Sequence, residues 1–408
     1  MHNNRNHSAL FWYPAVAFAL VACIFMAGCN PGEDSKDAEA ARDGGGQKPD
    51  AALYKLALGF DGSETPAGKF EELASVAAGA GNVYVADRAY SAIYVFDERG
   101  KFQSSIGCGF KIDDYALGND ELALSNATMV DPSSEALRHE IALHRFFRPE
   151  DLEFASGHIF VLNSFFSSLV PEPVAVPEVI EFTSTGQFYR NKKLHMAIRP
   201  GYLAVDGSSN YALTDQEVDE FYTADSNGND VYINKKSMVG FRGYYLKLLD
   251  AGDDTRAIES VRALLSNTGA ARFQFRGIGG LAIFTPVIDG EPSPGENKLL
   301  VCDSGNNRIK VLTYKGELLK IIDGISGKKK LFSRPIDISI LDGGRLAVLV
   351  ADPPSVVLLA SNFEILGRFG DGDLVEPRTI FADYSGDIWI ADRGAAKVFR
   401  YTPADRGS

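Results

Sequence analysis

The feature that most constrains this sequence is an internal repeat. Four segments share a Pro followed three residues later by a branched apolar residue, and a second apolar run ends in Asn or Asp 14 to 17 residues after that Pro. Two further segments have the second run and its Asp without the Pro. The six Asp or Asn positions are Asp87, Asn163, Asp215, Asp303, Asp352 and Asp392. Self-similarity of this kind is the signature of a repeat architecture.

Each repeat has the pattern of several antiparallel strands. In three copies a third apolar run leads into a Gly at a fixed offset of seven, as in Ile93 to Gly100, Val179 to Gly186 and Ile309 to Gly316. Such a turn joins two antiparallel strands. With 40 Gly and 11% aromatic residues, the composition also favours turns and strands over long helices. Four-stranded units of about 40 residues predict an all-β, six-bladed β-propeller.

The two ends of the repeat region are complementary. The last unit stops soon after residues 398–401, where the other units continue into an outer strand, and the strand pattern of residues 53–60 has no partner of its own. We predict that this N-terminal strand completes the sixth blade and closes the ring, which removes an open sheet edge. An independent N-terminal hairpin is the alternative.

One repeat carries a family resemblance. Residues 301–311, VCDSGNNRIKV, resemble the NHL repeat closely, and residues 388–393 and 83–88 resemble it partially. The resemblance covers about residues 53 to 403. It implies a six-bladed propeller of the NHL type.

Two insertions interrupt the repeats, at about residues 109–147 and 241–275. In the first, Asp131 and Pro132 suit the N-cap and first position of a helix. In the second, Ile258, Val261 and Leu265 recur at helical spacing. We predict short helices in both, packed on one end of the disk. Long connections are also favoured places for a partner surface, but we favour plain packing as the role of the apolar spacing.

The N-terminal segment is typical of an exported protein. Residues 9–28 are apolar and uncharged, and they follow a short polar segment whose only charge is Arg5. The closing tetrad, Met26-Ala27-Gly28-Cys29, resembles a bacterial lipobox. We predict a lipoprotein signal peptide over residues 1–28 and lipidation of Cys29. An uncleaved membrane helix is the alternative.

The next segment has almost no large apolar side chain. Residues 29–51 are rich in Gly, Asp, Glu, Lys and Ala, so they cannot bury enough surface to offset the entropy of ordering. We predict a disordered tether here and a propeller domain over residues 52–408. These features predict a protein of the bacterial cell envelope, lipid-anchored to a membrane and exposed outside the cytoplasm.

The charge balance limits the partners. The chain has 54 acidic and 41 basic residues, a formal net charge of -13 at pH 7. Nucleic-acid binders gain most of their affinity from clustered Lys and Arg, so we expect no nucleic-acid partner. The same charge disfavours adhesion to anionic lipid, which leaves the acyl chains on Cys29 to hold the protein at its membrane.

Motifs for metal or nucleophilic chemistry are incomplete. His139 and His144 flank Glu140, but residues five apart on a helix are separated by about 140°, whereas the zinc motif needs two His on one face. The acidic loop at residues 225–230 lacks the Gly and Glu positions of a calcium loop. No Gly-x-Ser-x-Gly motif, phosphate loop or paired Cys motif is present. We predict no catalytic residue, no metal site and no cofactor.

The six repeated Asp or Asn side chains allow two interpretations. They could form a ring of metal ligands, or each could accept hydrogen bonds from amides of the following turn. We favour the structural interpretation, because each side chain ends a second strand.

Arginine recurs where the first strands begin. Three Arg residues stand immediately before a strand-opening Pro and a fourth immediately follows one; they are Arg148, Arg199, Arg334 and Arg378. If the first strands line a central channel, these guanidiniums converge near one mouth and would hold a carboxylate, sulfate or phosphate group. The alternative is that each Arg pairs with a nearby acid and ties blades together, the candidates being Glu150, Asp151, Asp337 and Glu376.

Two function classes remain. The first is a lipid-anchored binding or assembly module for a protein, glycan or small anionic ligand, and it makes the protein more a binder than an enzyme. The second is a metal-dependent lactonase- or lyase-like enzyme with its site in the channel. That chemistry needs three or four ligands on one ion, and only His158 and His195 lie within the repeats.

The folded part contains two cysteines, Cys108 and Cys302. They fall in the first and fourth units, which face each other in a ring of six. A disulfide requires Cα atoms within about 7 Å. We therefore predict two free thiols.

Overall fold

The computed structural model describes residues 53–107, 148–163, 177–194, 197, 199–227, 230–233, 268–272, 274–288, 291–326, 329–330 and 332–405. The predicted signal peptide, tether, lipidated Cys29 and insertion helices lie outside these residues, as does Cys108. Within the described ranges, no helix has the length and apolar character needed to cross a membrane.

The described chain forms six four-stranded antiparallel sheets, one for each predicted repeat. The first strand is β1 (Tyr54–Phe60). Blade 1 contains β2 (Leu73–Gly79), β3 (Asn82–Asp87), β4 (Ala92–Asp97) and β5 (Phe102–Gly107). Blade 2 contains β6 (Pro149–Ala155), β7 (His158–Asn163), β8 (Glu178–Thr183) and β9 (Phe188–Lys193). Blade 3 contains β10 (Pro200–Val205), β11 (Tyr211–Asp215), β12 (Glu220–Ala224) and β13 (Asp230–Ile233).

The second half of the chain repeats this order. Blade 4 begins with β14 (Ile278–Phe284) and a small hairpin of β15 (Val287–Ile288) and β16 (Glu291–Pro292). It continues with β17 (Lys298–Asp303), β18 (Arg308–Thr313) and β19 (Leu318–Asp323). A second small hairpin, β20 (Ile325–Ser326) and β21 (Lys329–Lys330), precedes blade 5. Blade 5 contains β22 (Pro335–Ile340), β23 (Leu346–Ala351), β24 (Pro354–Leu359) and β25 (Ile365–Phe369). Blade 6 contains β26 (Pro377–Ala382), β27 (Ile388–Asp392) and β28 (Lys397–Pro403).

The first strands of neighbouring blades contact one another around a closed ring. Short 3₁₀ turns at Pro294–Glu296, Ser304–Asn306 and Asp342–Gly344 are the helical elements among the described residues. The protein is therefore an all-β, six-bladed β-propeller, as predicted. The inner strands all begin at one face of the disk, which we call the N-face; the opposite face is the C-face.

The N-terminal strand closes the ring as predicted. β1 pairs antiparallel with β28 and becomes the outer strand of blade 6. Its first residue, Tyr54, stacks on Phe369 of blade 5 with ring centroids 4.9 Å apart. Its last residue, Phe60, packs on Phe96 of blade 1 at 4.7 Å. One strand therefore holds three blades together and covers the free edge of β28.

The hydrophobic core lies between the faces of neighbouring blades. The second strands are almost entirely buried, as expected for strands covered on both faces. Trp389 of β27 is fully buried in the same cluster as Tyr84 and Phe154, whose rings stack at 5.8 Å. Burial of such large aromatic side chains supplies much of the packing energy between blades.

Candidate functional site

The repeated Asp and Asn side chains shape the N-face. Most of them accept a hydrogen bond from the amide of the residue that leads into the inner strand, as Asp87 does from Glu72 (3.1 Å) and Asp303 from Arg276 (2.8 Å). Asn163, Asp215 and Asp392 do the same in blades 2, 3 and 6. In blade 5 the corresponding amide, that of Arg334, is instead bound by Asn307 (2.9 Å). The structural interpretation therefore holds for these five side chains. Asp87, Asp215 and Asp392 also accept an amide of the following turn, as predicted, whereas the amides described above precede the first strand.

These hydrogen bonds define one equivalent position in every blade. We call this set the N-face ring, and it consists of Glu72, Arg148, Arg199, Arg276, Arg334 and Glu376. In blades 1, 3, 4, 5 and 6 the carbonyl of the ring residue also accepts an amide from the last residue of the second strand or from the turn that follows it. The backbone of the ring is therefore fixed, and what differs between blades is the side chain.

In blades 6, 1 and 2 the ring side chains are paired. Glu376 binds Arg393, and Glu72 binds Arg88 at 2.8 Å, in each case the Arg that follows the Asp of the same blade. Arg148 lies 3.3 Å from Glu150. Charge in this half of the ring is neutralised within the protein.

Glu150 is the centre of the paired half. It is 7% exposed and meets three guanidiniums from three blades: Arg88 at 2.7 Å, Arg148 at 3.3 Å and Arg378 at 3.8 Å. A buried carboxylate is stable only when its charge is compensated. Glu150 therefore ties blades 6, 1 and 2 together.

In blades 3, 4 and 5 the ring side chains have no ion-pair partner within the part of the chain that the structure describes. Arg199, Arg276 and Arg334 are exposed, and among the described residues none of them has a carboxylate within 4.0 Å. Arg334 holds its place with φ at +47°, in the left-handed region that usually favours Gly or Asn. We call these three residues the arginine arc.

Contacts to the residues before Arg276 hold it in the arc. Arg308 donates to the carbonyls of Ala271 (3.0 Å) and Gln274 (3.2 Å). Lys310 also binds the Gln274 carbonyl, and its ammonium lies 3.8 Å from the centre of the Phe275 ring. Burial lowers the pKa of Lys310 to about 8. Both cations belong to the NHL-like segment, so that segment positions Arg276, two residues before β14.

The channel mouth beneath the ring is filled. Arg378 of blade 6 lies over the Tyr202 ring of blade 3, with its guanidinium carbon 5.3 Å from the ring centre. Blades 3 and 6 are opposite each other, so the side chain spans the channel. It also lies 3.8 Å from Glu150 of blade 2. Arg378 therefore closes this end of the channel.

The channel interior is lined by carboxyl groups used as acceptors. Asp151 accepts from Ser75 (2.6 Å) and from the Leu203 amide (2.7 Å), so it joins blades 1, 2 and 3. Asp337 does the same between blades 5 and 6, accepting the Ile380 amide at 2.8 Å. Its carboxylate occupies the space that a Cβ on Gly280 would need, since the two would be 1.8 Å apart.

Burial controls the ionisation of these groups. Desolvation raises the pKa of Asp151 from 3.8 to about 6. Desolvation, and then the charge of Asp151, raise the pKa of Asp337 well above its usual value. Desolvation raises the pKa of Glu153 in the same way, with the charges of Asp151 and Asp337 adding to the effect. Simultaneous ionisation of Asp151, Asp337 and Glu153 is therefore unfavourable.

The predicted arginines separate into two groups. Arg148 and Arg378 are engaged with Glu150, in agreement with the pairing alternative, whereas Arg199 and Arg334 are exposed on the N-face. Sequence reasoning missed Arg276, because Gly277 separates it from the inner strand and no Pro marks the position. The available signal was its place relative to Asp303, which is the constant element of the repeat.

Ligands for a metal are not assembled in the described part of the chain. There, no group of three His, Cys, Asp or Glu side chains is placed to share an ion. The Nδ1 atom of His158 lies 2.5 Å from Glu181, which also binds Arg190. His195 lies outside the described residues. Cys302 is a buried free thiol, as predicted, and desolvation raises its pKa.

Comparison with known proteins shows similarity in fold. No protein-family model matches the chain, and no curated protein matches it in sequence. One similar structure is a protein of unknown function from Bacteroides thetaiotaomicron VPI-5482, with 10% identity, a TM-score of 0.47, and coverage of 82% of this chain and 70% of that chain.

Two other similar structures are a lyase and a WD40 β-propeller domain. Virginiamycin B lyase from Staphylococcus aureus has 12% identity, a TM-score of 0.44, and coverage of 86% of this chain and 99% of its own. The WD40 β-propeller domain of Doa1 has 11% identity, a TM-score of 0.46, and coverage of 87% and 99%. Similarity at this level says nothing about function.

Proposed function

We propose that this protein is a binding module of the bacterial cell envelope, anchored to a membrane through a lipid on Cys29. Its propeller would display the N-face to a protein, glycan or small anionic ligand. The anchor is inferred from the lipobox-like tetrad ending in Cys29 and from the composition of residues 29–51. Anchoring by acyl chains suits a protein whose net charge is -13.

The filled channel mouth is the observation that carries the binding role. Because Arg378 spans the channel to Tyr202 and lies close to Glu150, a ligand that approaches from this side meets a surface instead of a deep pocket. A surface built from fixed backbone positions with different side chains is suited to recognition. The channel enzyme considered above gains no support from this geometry.

Two measurements on the native protein test the proposal. In the first, membranes are fractionated from cells that express the parent chain or Cys29→Ser. We expect the parent to partition with the membrane and Cys29→Ser to be released or to remain unprocessed. Acyl-dependent partitioning that survives Cys29→Ser would contradict the anchor.

The second measurement separates a binder from an enzyme. A photo-crosslinking amino acid is placed at Gly277 on the N-face or at Tyr384 on the C-face, and crosslinks are formed in intact cells. The proposal predicts a discrete adduct from Gly277 and none from Tyr384. A stoichiometric bound metal that is lost on Asp337→Asn would instead support the metal-dependent enzyme.

A further inference from the structure

The arginine arc places three exposed guanidiniums on one face of an acidic protein. Its members, Arg199, Arg276 and Arg334, occupy equivalent positions in three consecutive blades. Because the net charge of the chain is -13, an acidic ligand is repelled by the protein as a whole and needs such a group of cations to bind.

In the other half of the same ring, each charged side chain has a partner of opposite charge. Glu72 and Glu376 each have an Arg partner supplied by the adjacent turn, and Arg148 has Glu150. The corresponding turn residues in blades 3, 4 and 5 are Gln216, Ser304 and Pro353, which carry no charge. Glu217 follows Gln216, but among the described residues no carboxylate lies within 4.0 Å of an arc guanidinium. The turn position that pairs with the ring in blades 1 and 6 is therefore neutral in all three blades of the arc.

The chemistry of the arc selects the kind of ligand. A guanidinium presents a planar fork of N–H donors that fits phosphate or carboxylate in a bidentate manner. The three arc members lie on three different blades. A ligand that carries two or more acidic groups can bind more than one of them.

The surroundings limit the size of that ligand. The ring side chains of the other half are already paired within the protein. A long polyanion that continued past the arc would gain no further unpaired ring guanidinium and would meet the negative field of a chain whose net charge is -13. A compact ligand would avoid that repulsion.

We propose that the arginine arc binds a compact ligand that carries two or more phosphate or carboxylate groups, supplied by a soluble molecule or by the headgroup of an envelope lipid. This inference deepens the proposed binding function and rests on it. Arg148 and Arg378 act as structural ion-pair partners, and Arg276 takes their place in the site.

Titration calorimetry with tripolyphosphate and with citrate at low ionic strength tests the arc. Single variants Arg199→Gln, Arg276→Gln and Arg334→Gln should each weaken binding at least about tenfold, since a charge-assisted hydrogen bond contributes about 1.5–3 kcal/mol. Arg99→Gln is the matched control, because Arg99 is also exposed but lies in the β4–β5 turn on the C-face. It should leave the affinity unchanged.

Three results would overturn the inference. They are no binding of either anion by the parent protein, an equal loss on Arg99→Gln, and binding that is unaffected by all three arc variants. Unfolding curves of each variant show whether a loss of affinity reflects a loss of fold. A long polyphosphate that binds far more tightly per chain than tripolyphosphate, with the arc still required, would also contradict the compact ligand.

Two arms identify the source of the acidic groups. Soluble tripolyphosphate is compared with phosphatidylcholine vesicles that carry a bisphosphorylated glycolipid. The inference is supported if the affinity for either tripolyphosphate or the vesicles is lower in the arc variants than in the parent. The ligand that binds the parent more tightly identifies the source of the acidic groups. If in-cell crosslinks from Gly277 persist in the arc variants, the proposed binding function is supported and the proposed arc ligand is wrong.

Discussion

The two halves of the N-face ring have the same backbone and opposite electrostatics. In blades 6, 1 and 2 every ring side chain has a partner, and the buried Glu150 joins three guanidiniums. In blades 3, 4 and 5 the ring carries three exposed Arg residues without a carboxylate partner among the described residues. The difference separates charge that holds blades together from charge that faces solvent.

This comparison shows how one repeat position serves two purposes. An Arg beside an acid supplied by a neighbouring blade becomes part of the fold. An Arg that has no carboxylate within 4.0 Å among the described residues stays exposed, and we propose that it is available to a ligand. The repeat sets the backbone position of the ring residue. The charges that neighbouring blades place near its side chain determine whether the side chain forms an ion pair.

The largest effect is expected in the paired half. Glu150→Gln keeps the shape of the side chain but leaves Arg88, Arg148 and Arg378 without the carboxylate they share. We expect a loss of about 3 kcal/mol in the free energy of unfolding, the usual cost of breaking a buried ion pair from one side. Denaturant unfolding measures this, with the exposed Glu98→Gln as control. A change below about 1 kcal/mol would show that Glu150 does not join the blades.

The channel layer below the ring should make stability depend on pH. The pKa of Asp151 is about 6 in the folded protein and 3.8 as its usual value, so the folded state binds more protons between these values. Stability should therefore fall as pH rises from about 4 to about 6, by up to about 3 kcal/mol from this group.

Asp151→Asn removes that titration, so its unfolding free energy should fall less than that of the parent between pH 4 and pH 6. Urea unfolding at several pH values gives both slopes. Equal slopes for the two proteins would contradict the raised pKa of Asp151.

A smaller effect is expected at the rim of the paired half. Arg393 and Glu376 form an ion pair whose side chains are 42% and 59% exposed. Exposed pairs contribute between about 0 and 1 kcal/mol, so Arg393→Gln should lower stability by no more than that. Removing Arg393 also frees a negative charge next to the arc, so tripolyphosphate binding should weaken. A loss of several kcal/mol in the free energy of unfolding would show that this ion pair stabilises the fold as Glu150 does.

The smallest effect on stability is expected in the arc. Arg276→Gln removes no ion pair, and its backbone hydrogen bond to Asp303 is unaffected by the side chain. The free energy of unfolding should change by less than about 0.5 kcal/mol, as for most surface substitutions. Chemical denaturation beside Glu150→Gln provides the comparison. A large loss of unfolding free energy would mean that the Arg276 side chain stabilises the fold. The paired half and the arc would then not differ in their contribution to stability.

More of the fold than of the candidate site could be predicted from the sequence. Strand alternation, the repeated Asp or Asn and the turn offsets are local signals, so the six blades and the closing role of β1 were predictable. The helices predicted around Ala136 and Ile258 lie outside the described residues.

The site depends on contacts between distant blades. The meeting of Arg88, Arg148 and Arg378 at Glu150 joins residues from blades 1, 2 and 6, and no local pattern encodes it. Sequence alone therefore could not separate the paired arginines from the free ones. Arg276 was missed for a local reason, since Gly277 shifts it by one residue from the expected position.

A crystal structure of the mature protein grown with selenate tests the central claim most directly, because the anomalous signal of selenium locates each bound anion. The account predicts selenate on the guanidiniums of Arg199, Arg276 and Arg334, and none at the Glu150 cluster. Selenate bound at Arg148 and Arg378 with the arc empty would contradict it.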